Sequence, residues 1–254
     1  MPKLALVVGL VLPLCANATS IVLLQTPNQV VLAADSRAVS LRSDGEARIS
    51  APTCKIIIAP STVVAIAGIL SDMTGFDSMA FLGEHLADGQ PLEAAADSLA
   101  KAAALRLPNV VAHFIQPGRP AVTFLLARIE NGATRVAIRD VLYLGESGAQ
   151  PQFRIESSNC PGNCAGPNMV FAAGSSQAIT ESLASSPSHR SRLKDPSFAE
   201  ELLRLETDAN PQTVGPPFSI LKLDETGVHW RSAGACANAI ARGLLASGPE
   251  TSFR

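Results

Sequence analysis

The feature that most constrains the fold is a pair of apolar runs, residues 122–129 and 134–144, separated by Glu130-Asn131-Gly132. Asn-Gly suits a primed turn, in which both central residues have positive φ, so the two runs read as one long antiparallel hairpin. Three more hairpins repeat the arrangement. Runs 21–24 and 30–34 flank Thr26-Pro27-Asn28-Gln29, runs 55–59 and 63–67 flank Pro60-Ser61, and runs 218–223 and 228–232 flank Asp224-Glu225-Thr226-Gly227. Helical spacing predicts helices over 72–86 (Met73, Phe76, Met79, Leu82, Leu86) and over 92–107, after the break Gly89-Gln90-Pro91. A strand is expected at 169–173, and helices at 176–184, 198–205 and 235–245. Residues 39–52 and 150–167 read as irregular. Strands that come in hairpin groups, with helices grouped between them, imply an α+β fold with antiparallel sheets and exclude a parallel βαβ sheet.

Composition narrows the class. In a chain of 254 residues, 47% are hydrophobic and 17% charged, so a sizeable core is available and intrinsic disorder is excluded. Aromatics are 4%, so that core is built from Ala, Val, Leu and Ile. Net charge is −2 and no Lys/Arg block occurs, which removes the electrostatic footprint of a nucleic-acid partner.

The first residues are expected to be removed. Met1-Pro2-Lys3 is a short positive start, residues 4–14 are an apolar run, and Ala16-Asn17-Ala18 is a small-residue cleavage pattern. Together they read as a secretory signal peptide at 1–18, followed by one domain from Thr19 to the end. The run is too short to span a bilayer, so no stable membrane anchor is expected after processing. The expected location is secreted or periplasmic. In that oxidising setting Cys54, Cys160, Cys164 and Cys236 remain, and either a Cys160–Cys164 or a Cys54–Cys236 disulfide is expected. The cysteines and the four histidines lack metal-ligand spacing, and no cofactor motif is present, so neither metal nor cofactor is expected.

Cleavage after Ala18 leaves a threonine at the N-terminus. A threonine hydroxyl is a poor nucleophile without a base, but an N-terminal threonine carries one in its own α-amine, partly neutral near pH 7.7–8.0. The residues around it carry a resemblance. Thr19-Ser20-Ile21-Val22, followed by Leu32-Ala33-Ala34-Asp35-Ser36-Arg37, resembles the start of proteasome β-type subunits, which are N-terminal-nucleophile hydrolases. Cys54-Lys55-Ile56-Ile57 is similar to the strand carrying that family's lysine. Ala67-Gly68 with Ser71-Asp72 is similar to its glycine turn and helix start. Ala173-Gly174-Ser175-Ser176 and Val214-Gly215-Pro216-Pro217 resemble two later segments.

The resemblance implies a four-layer αββα sandwich of two antiparallel sheets and an exported threonine-type hydrolase of peptide or amide bonds. It implies Thr19 as nucleophile, Lys55 beside it, Asp35 holding Lys55, the Gly68 N–H as oxyanion donor, and Ser175 near the threonine amine. Pro211 and Val214 stand where the family has an Asp and a Ser. This departure supports one alternative, a catalytically weakened binding or assembly subunit; a small-molecule acylase on the same fold is another. The expected partner is a peptide or amide substrate, and a homo-oligomer remains open.

Overall fold

In a computed structural model of the chain, the structure describes residues 19–41, 47–49, 51–59, 61–69, 82, 85–86, 89–107, 115–147, 150–164, 166, 168–185 and 187–237. Within these residues the fold is α+β, with two five-stranded antiparallel sheets and three α-helices. The first sheet contains β1 (Ser20–Thr26), β2 (Gln29–Ala34), β10 (Met169–Gly174), β11 (Ser219–Asp224) and β12 (Gly227–Ser232), in the order β10-β1-β2-β11-β12. The second contains β5 (Ile56–Ala59), β6 (Thr62–Gly68), β7 (Arg119–Glu130), β8 (Ala133–Ser147) and β9 (Gln150–Cys160), in chain order. The expected hairpins form. Asn131 and Gly132 take φ of 53° and 74° between β7 and β8, as a primed turn requires.

Alternation along the strands sorts side chains into three cores. Ile21, Leu23 and Leu32 of the first sheet share one buried cluster with Ala65, Ala67, Leu125 and Ile138 of the second. On the other face of the second sheet, Ile66, Phe124 and Val141 pack against Leu92, Ala96, Leu99 and Ala103 of helix α1 (Leu92–Arg106). On the other face of the first sheet, Val22, Leu24 and Val31 pack against Ile179 of α2 (Gln177–Ser185) and Phe198, Leu202 and Leu203 of α3 (Pro196–Ala209). Helix α3 starts at an Asp195 cap whose carboxylate accepts the Ser197 N–H, with Pro196 at the first helical position. Strands buried on both faces explain why these runs are wholly apolar rather than alternating. The layering is consistent with a four-layer sandwich.

Two stretches read as irregular contain strands. β9 occupies 150–160, and its exposure alternates, with Phe153 and Ile155 packed against the helix-side core. Its sequence is mostly polar because it is an edge strand, and pairing along the long β8 organises it more than its own hydrophobicity. Pro151, near its start, is the position an edge strand tolerates. The 39–52 stretch contains a short ladder between β3 (Val39–Leu41) and β4 (Ala47–Ile49). The helix expected over 72–86 and the one expected over 235–245 lie largely outside the described residues, as does the whole of 1–18. A 3₁₀ turn, Gly234–Cys236, closes the described chain.

Cysteine chemistry joins distant parts of the chain. Cys54 and Cys236 are bonded, with Cα atoms 4.6 Å apart, and so are Cys160 and Cys164, at 5.4 Å. Both pairings weighed from sequence are therefore present together. Among the described residues no helix is long and apolar enough to cross a membrane.

Candidate active site

Thr19 immediately precedes β1, and its parity follows that of Ile21 and Leu23, whose side chains enter the core between the sheets. It is buried, with 1% of its surface exposed. Its carbonyl oxygen accepts the Ser175 N–H at 2.6 Å. The turn that makes this contact depends on Gly174. There φ is +76°, and a Cβ would lie 2.0 Å from the Thr19 carbonyl oxygen.

Asp35 lies just past the end of β2, beside the start of β1, because β1 and β2 pair as a tight hairpin with Ile21 opposite Ala34. Its carboxylate is the hub of the region. Oδ1 accepts the Ser20 N–H at 2.8 Å and the Lys55 ammonium at 2.6 Å. Oδ2 accepts the Arg37 N–H at 3.0 Å and the Gly215 N–H at 3.2 Å. Lys55, one residue before β5, also donates to the Arg37 carbonyl at 2.7 Å. Neither side chain of the pair is exposed to solvent.

Burial is the largest influence on both groups. It pushes the Asp35 carboxyl up, against the opposing charge and hydrogen bond of Lys55 and the N–H groups of Ser20 and Gly215. It pushes the Lys55 ammonium down, against the charge and hydrogen bond of Asp35. A lysine lowered in this way is closer to exchanging a proton at neutral pH than one on the surface.

Gly68 ends β6 with φ +98°, and a Cβ on it would lie 2.3 Å from the Ala121 carbonyl oxygen. Here glycine is required by the neighbouring strand. Gly68 and Gly174 both line a cavity of about 270 Å³, with Phe171 on one wall and a hydrogen-bonded Thr123–Asp140 pair at 2.5 Å on another. Ala67 ties this cavity to the threonine end, since its Cβ lies 3.5 Å from where a Gly174 Cβ would be.

The structure thus gathers Asp35 and Lys55 into contact, fixes the amide next to Thr19 on the same carboxylate, and sets Ser175 against the Thr19 backbone. Among the described residues Gly68 makes no hydrogen bond to that cluster, and it shares with Gly174 the lining of the cavity. The Ser175 hydroxyl is bonded to Glu206 at 2.7 Å, a partner not expected from sequence. Glu206 is wholly buried on α3. Its signal in the sequence is an acid on the stripe Phe198, Ala199, Leu202, Leu203, Glu206, where a helix would otherwise place an apolar residue.

Pro211 and Val214 bring no side-chain hydrogen-bonding group to the site, and Val214 is fully buried. Their carbonyl oxygens instead both accept hydrogen bonds from the Arg37 guanidinium, which lies so close over Gly215 that a Cβ there would come within 2.7 Å of it. Among the described residues no group of three or more His, Cys, Asp or Glu is placed to hold a metal ion. No family model matches the chain, and no curated protein matches it either.

Proposed function

We propose that the chain is an exported N-terminal-threonine hydrolase of amide or peptide bonds, with the sandwich fold and active site of the proteasome-like N-terminal-nucleophile type. The observation that carries this reading is the buried Lys55–Asp35 pair, joined through the same carboxylate oxygen to the Ser20 amide, the group adjoining Thr19. A buried ion pair is weak evidence for stability, since two desolvated charges are often replaceable by apolar side chains. Its position next to a threonine that cleavage after Ala18 would make N-terminal supports a chemical role.

In this reading the Thr19 hydroxyl attacks the substrate carbonyl carbon while the α-amine takes the hydroxyl proton. The oxyanion faces the Gly68 N–H. Collapse breaks the C–N bond, the ammonium protonates the departing amine, and an ester on Thr19 Oγ remains. Water then attacks the ester carbon, its proton passing to the α-amine; the C–Oγ bond breaks, Thr19 Oγ takes that proton from the ammonium, and the acid is released. Lys55, held by Asp35, sets the field in which amine and hydroxyl exchange the proton. With residues 1–18 attached the α-amine is an amide and has no basic lone pair, so export and cleavage would switch the enzyme on. The two disulfides and the lack of a spanning helix among the described residues are compatible with a secreted or periplasmic location.

The test compares protein beginning at Thr19 with protein carrying an uncleavable extension. Only the first hydrolyses peptide amides and is labelled by a threonine-directed covalent probe, and Thr19→Ala abolishes both. Equal activity in the extended form places the nucleophile elsewhere. Absence of labelling in the processed form favours the second reading, a binding or assembly subunit, for which the apolar Pro211 and Val214 are the specific observation. Labelling with turnover of small amides but not peptides favours an acylase.

A further inference from the structure

We infer that Glu206 is a positioning residue of this site, acting on Thr19 through Ser175; the inference rests on the N-terminal-threonine reading above. A carboxylate with 0% exposure on the apolar stripe of a helix is costly unless its oxygens are fully bonded. Every partner of Glu206 is a donor. Oε2 accepts the Ala178 and Ile179 N–H groups at 3.0 and 3.4 Å, and so caps the first turn of α2. Capping of that helix N-terminus accounts for one oxygen. The other oxygen, Oε1, accepts the Ser175 hydroxyl at 2.7 Å and the Asn210 amide at 2.5 Å.

A serine has one O–H to give. Once Ser175 donates it to Glu206, its oxygen presents only lone pairs to its other neighbours. Its own N–H, bonded to the Thr19 carbonyl at 2.6 Å, holds the Ser175 backbone against the threonine. Glu206 therefore fixes Ser175 as an acceptor, suited to take an N–H of the processed Thr19 amine and leave the amine lone pair directed at Oγ. This supplies from α3 the polar support that Pro211 and Val214 do not provide.

The experiment uses the processed protein beginning at Thr19. Glu206→Gln keeps the shape but places an amide N–H₂ against donors on one side, so the Ser175 hydroxyl is reversed or the α2 amides lose their acceptor. We expect kcat on a peptide amide to fall at least tenfold with KM within twofold. Ser175→Ala should fall comparably, and the double variant should be no slower than Ser175→Ala alone, because both act along one path. Amide hydrogen exchange at Ser175 and Ala178 should speed at least tenfold in Glu206→Gln, a readout that needs no turnover. If the wild type is inactive, the hydrolase reading fails, while exchange still judges the link from Glu206 to the Thr19 turn. Unchanged kcat in Glu206→Gln, fully multiplicative losses in the double variant, or unchanged exchange at Ser175 each overturn the inference. Should Glu206→Gln not fold, Glu206→Asp, which retains a carboxylate, takes its place with the same expectations.

Discussion

Neutralising one partner of the Asp35–Lys55 pair should cost more than neutralising both. In Lys55→Met the stem is replaced by an apolar chain of similar length, and Asp35 remains as a buried carboxylate with only the Ser20, Arg37 and Gly215 N–H groups. The Arg37 carbonyl also loses its lysine donor. Breaking a buried pair on one side costs about 3–5 kcal/mol. Three remaining N–H groups place the Lys55→Met loss near the lower end of that range. Asp35→Asn alone leaves a buried ammonium facing a neutral amide, with a loss of the same order. In the double variant no charge is buried. The Asn oxygen can serve Arg37 and Gly215, while its N–H₂ meets the Ser20 N–H and the Arg37 carbonyl still lacks its lysine donor: two unmet neutral contacts, each near the lower end of about 1–3 kcal/mol. The two single losses then sum to about 6 kcal/mol or more against about 2 for the double, a coupling of several kcal/mol. Equilibrium urea unfolding with the disulfides intact measures all four corners of the cycle. Additive losses, with coupling below about 0.5 kcal/mol, would refute the reasoning, because a desolvated contact at 2.6 Å cannot behave as two independent sites.

Three further outcomes follow from the same structure. Gly174→Ala places a Cβ at 2.0 Å from the Thr19 carbonyl in a left-handed conformation, so a loss of about 2 kcal/mol or more is expected in thermal unfolding, with slower labelling of Thr19. Cys54–Cys236 closes a separation of 182 residues and Cys160–Cys164 one of 4, so chain entropy assigns them about 5 and about 2 kcal/mol, and Cys236→Ser should lower the unfolding midpoint more than Cys164→Ser. Asp224 is burdened by partial burial, but hydrogen bonds from Lys222 and Thr226 outweigh it and lower its pKa from 3.8 to about 2. A carboxyl lowered on folding stabilises above its unfolded pKa, so the advantage of wild type over Asp224→Asn should hold at neutral pH and vanish as pH falls from 3.8 towards 2; an advantage that persists below pH 2 would contradict this.

The sequence by itself determined the strand skeleton. Residues 21–34, 56–68 and 119–147 carry enough apolar, β-branched character and turn chemistry at Pro27-Asn28 and Asn131-Gly132 that local preference and tertiary demand agree. It also singled out Asp35 and Lys55, through the resemblance of the segments that carry them; a lysine opening an Ile-Ile-Ile strand is conspicuous by itself, whereas an acid after an apolar strand is a common turn residue. Only the tertiary structure decided the rest. β9 is a strand because β8 is long enough to pair with it, although its own residues are mostly polar. Both disulfides form together because the folded chain returns Cys236 to the start of β5, a proximity 182 residues apart that no spacing rule reveals. Glu206 meets Ser175 because α3 packs over the first sheet with its apolar stripe inward, and a helical stripe records which residues turn inward but not the groups they meet there.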